Sequence, residues 1–174
     1  MRLGETMKKY VLILLSGIVI NCQAEEIKSI VEFFSYTCSH CANVNNKLDS
    51  YVATHPVEFF AINTDNGDNA IPTNIAYYVA VDAGVGRQFK SAYFTAVASG
   101  MPAYTPQTLN YVINQIKTPT FSNLLKSPDE KEKVKKKLAF ANYLSNKYRV
   151  QATPTFLINQ STLLEGEAII NSLN

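Results

Sequence analysis

The chain has 174 residues, of which 47% are hydrophobic and 17% are charged. This composition is typical of a packed globular domain and excludes an intrinsically disordered chain. Beyond residue 24 the chain carries 13 basic and 13 acidic side chains. Because such a balance gives no general attraction to nucleic acid or anionic lipid, we expect polypeptides or small molecules as partners.

Residues 1–24 are predicted to be a secretory signal peptide. Basic residues are followed by an apolar run over residues 11–20, about half of the ~20 residues that a membrane-spanning helix needs. Ala24, with Cys22 two positions earlier, supplies a small-x-small cleavage site, which predicts export to an oxidising compartment. The alternative is a lipoprotein signal acylated at Cys22, but Asn21 is a poor residue before such a site.

Residues 25–174 are predicted to form one domain that opens with a strand, a helix and a strand. Residues 29–35 are an apolar, β-branched and aromatic run that only Glu32 interrupts. Apolar residues then recur at helical spacing over residues 44–52, and residues 57–62 form a second apolar run. A βαβ unit of this kind makes its two strands parallel.

A helical insertion is predicted over about residues 68–148. Apolar stripes over residues 75–79 and 89–97 predict two helices, ended by glycines. Thr105-Pro106 and the capping box from Ser127 to Glu130 predict the starts of two more helices. Five lysines between residues 131 and 137, mixed with Glu130 and Glu132, indicate a solvated helix face.

The last part of the chain returns to strands. Residues 155–158 and 162–165 flank a short polar turn and predict an antiparallel hairpin, followed by a short helix. The predicted fold class is therefore α/β, with the helical insertion between the second and third strands.

Two cysteines carry the chemistry of the predicted mature chain, Cys38 and Cys41. A single Cys-x-x-Cys between a strand and an amphipathic helix is typical of a redox pair, whereas structural zinc needs four ligands and only His40 lies close by. At the helix start, free backbone N–H groups and the helix dipole stabilise a thiolate. We therefore predict Cys38 as the attacked and attacking sulfur, and the more shielded Cys41 as the resolving one.

The sequence from Phe33 to Cys41, the helical insertion and the later Thr153-Pro154 resemble the DsbA family of bacterial periplasmic disulfide oxidases, which have a thioredoxin fold. The resemblance spans about residues 30–158. It implies that Pro154 is a cis-proline beside the cysteines and that the backbone of Thr153 contacts substrate. Three departures are a serine at Ser39 where proline is common, a short or missing first strand, and a curtailed last helix.

The resemblance also implies roles for two ionisable residues. His40 would tune the redox pair by stabilising the Cys38 thiolate, although it could instead be an ordinary polar surface residue. Glu32 would be a buried acid beneath the pair that relays the proton of Cys41, although it could instead be a solvent-facing carboxylate at a strand edge.

The function that the resemblance implies is donation of the Cys38–Cys41 disulfide to exported proteins that contain cysteines. The enzyme would be a monomer without metal or other cofactor, and a membrane partner of the DsbB type would reoxidise it. Two alternatives stay open. One is a thiol reductase or isomerase kept reduced by a membrane donor, and the other is a non-enzymatic chaperone that holds copper through Cys38, His40 and Cys41.

Overall fold

Four strands form one sheet in the computed structural model, which describes residues 26–173. They are β1 (Ser29–Phe34), β2 (Glu58–Asn63), β3 (Thr155–Ile158) and β4 (Thr162–Glu165), in the order β2-β1-β3-β4. β1 pairs parallel with β2 and antiparallel with β3, which pairs antiparallel with β4. The predicted signal peptide and Cys22 lie outside the described residues.

Helices connect these strands as the sequence predicts. Helix α1 (Ser39–Thr54) crosses from β1 to β2. Between β2 and β3 the chain forms α2 (Ile71–Asp82), α3 (Gly86–Ala98), α4 (Pro106–Gln115), α5 (Pro119–Lys126) and α6 (Pro128–Lys147). A 3-10 turn (Gly166–Ala168) and α7 (Ile169–Ser172) follow β4. The predicted α/β class with a helical insertion is confirmed.

Three helices of the insertion begin with the same local signal. Thr105, Thr118 and Ser127 each accept a hydrogen bond from the backbone N–H three residues later, and a proline follows each of them. The sequence analysis predicted the first and third of these helices but missed α5. That helix has eight residues and buries only Phe121, so it lacks the long apolar stripe by which the others are recognised.

Gly86 begins α3, although the sequence analysis interpreted it as part of a helix end. A Cβ atom at this position would lie 2.5 Å from Cγ2 of Val81 in α2. The glycine is therefore needed for the close approach of two helices. A glycine required by packing cannot be distinguished from a helix stop by sequence alone.

An aromatic cluster attaches the helical insertion to the chain just before α1. The ring of Tyr36, which is buried, lies 5.0 Å from Phe34, 4.1 Å from Tyr93 and 5.2 Å from Phe94, measured between centroids. Offset and tilted aromatic pairs at such distances are favourable beyond their burial of apolar area. Because Tyr36 lies two residues before Cys38, α3 helps to fix the start of α1.

A buried ion pair joins β1 to α3. Lys90 Nζ donates to Glu32 Oε2, and both side chains are fully buried. Lys90 Nζ also lies 4.9 Å from the ring centroid of Phe34. Burial raises the pKa of Glu32, while the positive charge of Lys90 acts in the opposite direction. The solvent-facing alternative for Glu32 is therefore wrong.

Lys90→Met should destabilise the protein by about 3–5 kcal/mol near neutral pH, because it leaves a buried carboxylate without its partner. Urea unfolding monitored by circular dichroism measures this change. Lys136→Met, which removes an exposed lysine from α6, is the matched control and should leave the free energy of unfolding unchanged. The double variant Glu32→Gln/Lys90→Met should recover most of the lost stability.

The loss of stability caused by Lys90→Met should also depend on pH. Burial raises the pKa of Glu32 above its ordinary value of 4.5, so the folded protein binds this proton more tightly than the unfolded chain does. Below that ordinary value the carboxyl is protonated both folded and unfolded, and it adds no penalty. The penalty grows as pH rises, because the unfolded chain then releases a proton that the folded variant retains. Equal losses in acid and at neutral pH would contradict this account.

Candidate active site

Cys38 begins helix α1 as its N-cap residue. Its backbone is extended, with φ −88° and ψ 112°, and its Sγ accepts the backbone N–H of Cys41 at 3.1 Å. The sulfur thus occupies the place where a serine or aspartate oxygen usually caps a helix. Cys38 remains partly exposed.

The sheet register brings the other end of the chain to this sulfur. Phe33 of β1 pairs with Thr155 of β3, so the residues just before β3 lie beside the loop that leaves β1. Cys38 Sγ donates to the carbonyl oxygen of Thr153 at 3.2 Å. Pro154 is buried, and the Thr153–Pro154 peptide bond is cis. Four predicted site residues, Cys38, Cys41, Thr153 and Pro154, are therefore together.

Cys41 has a different environment from Cys38, although both are free thiols. Cys41 is fully buried in the apolar core. Burial raises the pKa of the Cys41 thiol well above its ordinary range, and its interaction with Cys38 acts in the same direction. Cys38 is partly exposed and its sulfur receives a backbone N–H, while Cys41 is enclosed and its thiol is held in the protonated form.

The His40 ring is bound to a residue that the sequence analysis missed. His40 Nδ1 lies 2.8 Å from Glu167 Oε1, and Asn43 Nδ2 donates to the same oxygen at 3.1 Å. The hydrogen bond from His40, and then the one from Asn43, hold the pKa of Glu167 below its ordinary value. Within residues 26–173, the hydrogen-bond partner of the His40 ring is therefore Glu167 and not the Cys38 sulfur.

A polar network fixes the loop between β1 and Cys38. Ser35 Oγ donates to Asp65 Oδ2 at 2.5 Å, and the Tyr104 hydroxyl donates to the same oxygen. The hydroxyl of Tyr104 also accepts the backbone N–H of Tyr36 at 3.2 Å. Tyr104 has a φ of 60°, a conformation that non-glycine residues seldom adopt. The loops after β2 and after α3 thus both support the start of α1.

Glu32 takes no part in the hydrogen bonds described above around Cys38 and His40. It lies in mid-strand between Ala61 and Phe156, and its charged partner is Lys90 of α3. No group of three or more His, Cys, Asp or Glu side chains among residues 26–173 is arranged to hold a metal ion. No helix in this part of the chain is long and apolar enough to cross a membrane.

A sequence model described as thioredoxin matches this chain over residues 23–168. The chain therefore belongs to the thioredoxin family. No curated protein matches the sequence. The family assignment agrees with the observed arrangement, in which a Cys-x-x-Cys follows the central strand and opens the next helix.

Several solved structures are similar to this protein along most of its length. DsbA from Xylella fastidiosa is 26% identical, with a TM-score of 0.63 over 83% of this chain and 80% of that chain. The thiol-disulfide exchange protein alpha-DsbA2 from Wolbachia pipientis is 16% identical, with a TM-score of 0.64 over 87% of this chain and 80% of that chain. DsbA from Klebsiella pneumoniae is 20% identical, with a TM-score of 0.59 over 78% and 74%. The protein is thus a DsbA-like member of the family, in the class of thiol:disulfide oxidoreductases.

The unequal environments of the two thiols predict selective labelling. Iodoacetamide should modify Cys38 in the folded protein and leave Cys41 unmodified, because Cys38 is accessible whereas burial keeps Cys41 protonated. Mass spectrometry of the digested protein identifies the labelled residue. In Cys38→Ser, labelling of Cys41 should require urea. Rapid labelling of Cys41 in folded Cys38→Ser would show that Cys41 is not enclosed.

Proposed function

We propose that this protein is exported to the periplasm, where it donates a disulfide between Cys38 and Cys41 to client proteins that contain cysteines. The observation that carries the proposal is the asymmetry of the two sulfurs. Cys38 is partly exposed and its Sγ accepts a backbone N–H at 3.1 Å, while Cys41 is fully buried. Such a pair has one sulfur for exchange with a client and one for resolution.

The reaction exchanges one disulfide for another. A client thiolate attacks Cys38 of the oxidised enzyme, a bond forms between these two sulfurs, and Cys41 leaves with the electron pair and takes up a proton. A second thiolate of the client then attacks the client sulfur of this mixed disulfide, and Cys38 leaves as a thiolate. The client dithiol loses two electrons and two protons; the enzyme gains both electrons and the proton on Cys41, and the second proton goes to water or to the Cys38 thiolate, which completes the dithiol.

The direction of exchange depends on how well the enzyme stabilises its reduced form. A thiolate at Cys38 receives a hydrogen bond from a backbone N–H, and a charge-assisted bond is stronger than the bond to a neutral disulfide sulfur. Stabilisation of the thiolate also makes Cys38 a better leaving group. Both effects favour oxidation of the client.

Thr153 and Pro154 are proposed as the client-binding residues. The carbonyl of Thr153 lies 3.2 Å from Cys38 Sγ, which places backbone hydrogen-bonding groups beside the reacting sulfur. Pro154 has no N–H to donate to the neighbouring strand. An extended client segment next to Cys38 could therefore pair with the Thr153 backbone, in the manner of strand addition.

Two ionisable residues, Glu32 and His40, are proposed to assist the disulfide exchange. Glu32 is proposed to relay the proton that Cys41 takes up, because burial raises the pKa of this carboxyl toward values suited to proton transfer. His40 is proposed to tune the redox pair from its position at the first turn of α1. The enzyme is proposed to act as a monomer, and a membrane partner of the DsbB type is proposed to reoxidise it.

The proposal is tested by mixing the oxidised protein with a reduced client, such as ribonuclease A, and following the recovery of ribonuclease activity. The equilibrium constant between the enzyme and glutathione is measured in parallel. We expect stoichiometric transfer and an enzyme pair that is more oxidising than glutathione. A pair more reducing than glutathione would indicate a reductase. Binding of one Cu(I) per chain with no thiol oxidation would indicate a metal chaperone.

Cys41→Ser should trap client proteins as mixed disulfides, because it retains the attacking sulfur and lacks the resolving one. Non-reducing gels of periplasmic extracts that contain the variant reveal these adducts. Cys38→Ser is the matched control and should trap few clients, since its remaining thiol is buried. Equal trapping by both variants would reverse the proposed roles or show that the sulfurs are equivalent.

A further inference from the structure

The His40 ring is held by the side chain of Glu167, which follows β4 and lies outside the Cys-x-x-Cys motif. Glu167 Oε1 is 2.8 Å from His40 Nδ1 and 3.1 Å from Asn43 Nδ2, so a single carboxylate oxygen joins two residues of α1. The side chains of His40 and Glu167 are 68% and 39% exposed. The contact thus lies at the surface, but three polar groups converge in it.

The same short segment is also attached to the loop before β3. The backbone N–H of Gly166 donates to the carbonyl of Pro154 at 2.8 Å. Gly166 has a φ of 67°, which is strained for other residues and lets the chain turn between its two contacts. Gly166 and Glu167, which we call the His40 clasp, therefore connect the first turn of α1 to the loop that contacts Cys38 Sγ.

The clasp affects how well His40 can stabilise the thiolate of Cys38. An imidazolium beside a cysteine stabilises its thiolate and makes the corresponding disulfide more oxidising. In this protein Nδ1 of the ring is 2.8 Å from a carboxylate, which restrains the ring and would offset the charge of its protonated form. The Cys38 sulfur has Cys41 N and Thr153 O as its hydrogen-bond partners.

We infer that Glu167 is a positioning residue that moderates the oxidising strength of the Cys38–Cys41 pair by holding His40 on its carboxylate. The inference rests on the proposed function, since it names the residue that sets the redox potential of that site. Release of His40 would allow the ring to approach the Cys38 thiolate, and the reduced form would become more stable. Glu167 touches neither sulfur, so its effect passes through His40.

The test is the equilibrium constant with glutathione, measured for wild type and for variants of the clasp. Glu167→Ala should shift the constant toward the dithiol by about two- to fivefold, the size expected for a partly exposed, screened charge contact. Glu167→Gln should shift it less, because a neutral amide still accepts a hydrogen bond from His40 but holds it less strongly. The matched control is Glu165→Ala, which removes an exposed carboxylate two residues earlier and should cause no comparable shift.

Two further measurements separate an effect through His40 from a structural or long-range effect. Thiolate absorbance at about pH 6, below the ~6.5 at which a free histidine titrates, should show a larger ionised fraction of Cys38 in Glu167→Ala. In a His40→Ala background, Glu167→Ala should shift the constant no more than Glu165→Ala does. Thermal unfolding of each variant verifies that the fold is retained.

The results of these experiments distinguish a failure of the role inferred for Glu167 from a failure of the proposed function. An unchanged constant in folded Glu167→Ala, an equal shift in Glu165→Ala, or a shift that persists without His40 would overturn the role of the clasp, even if the wild-type pair oxidises clients. A wild-type pair more reducing than glutathione would overturn the proposed function, even if the Glu167 variants shift the constant as expected.

Discussion

The redox site depends on a sulfur atom that caps a helix. Cys38 Sγ accepts the backbone N–H of Cys41, so the two reactive residues are joined by a hydrogen bond in the same turn that brings their sulfurs together. This bond is strongest when Cys38 carries a negative charge, and it weakens when the sulfur is neutral in a disulfide. The start of α1 therefore links the fold directly to the chemistry of exchange.

The rest of the structure holds that helix start from several directions. The antiparallel pairing of β1 with β3 brings the Thr153 carbonyl to the sulfur. The Tyr36 aromatic cluster and the contact of Tyr104 with Asp65 fasten the preceding loop to the helical insertion. The His40 clasp fastens the first turn to the chain after β4. The site therefore lies where the start of α1 meets the loop before β3, the helical insertion and the chain after β4. These contacts restrain the helix start while Cys38 stays partly exposed.

Local features of the site were predictable from the sequence, whereas contacts between distant segments were not. The Cys-x-x-Cys spacing and its place before an amphipathic helix were sufficient to predict that Cys41 is the more shielded cysteine, and Cys41 is buried while Cys38 is partly exposed. Thr105-Pro106 and the Ser127 capping box predicted helix starts because capping is decided within four residues. By contrast, Lys90 lies 58 residues from Glu32, and Glu167 lies 127 residues from His40. No motif marks these partners, so only the fold reveals that the side chains of Glu32 and His40 are each bound to another side chain.

The central claim is that the fold stabilises the reduced form of the Cys38–Cys41 pair. The most direct measurement is the free energy of unfolding of the disulfide and dithiol forms, obtained by urea denaturation under matched conditions. In a strongly oxidising pair the fold favours the reduced form over the disulfide. We therefore expect the dithiol form to have the larger free energy of unfolding. A disulfide form more stable than the dithiol would indicate a bond that braces the structure and would contradict this account.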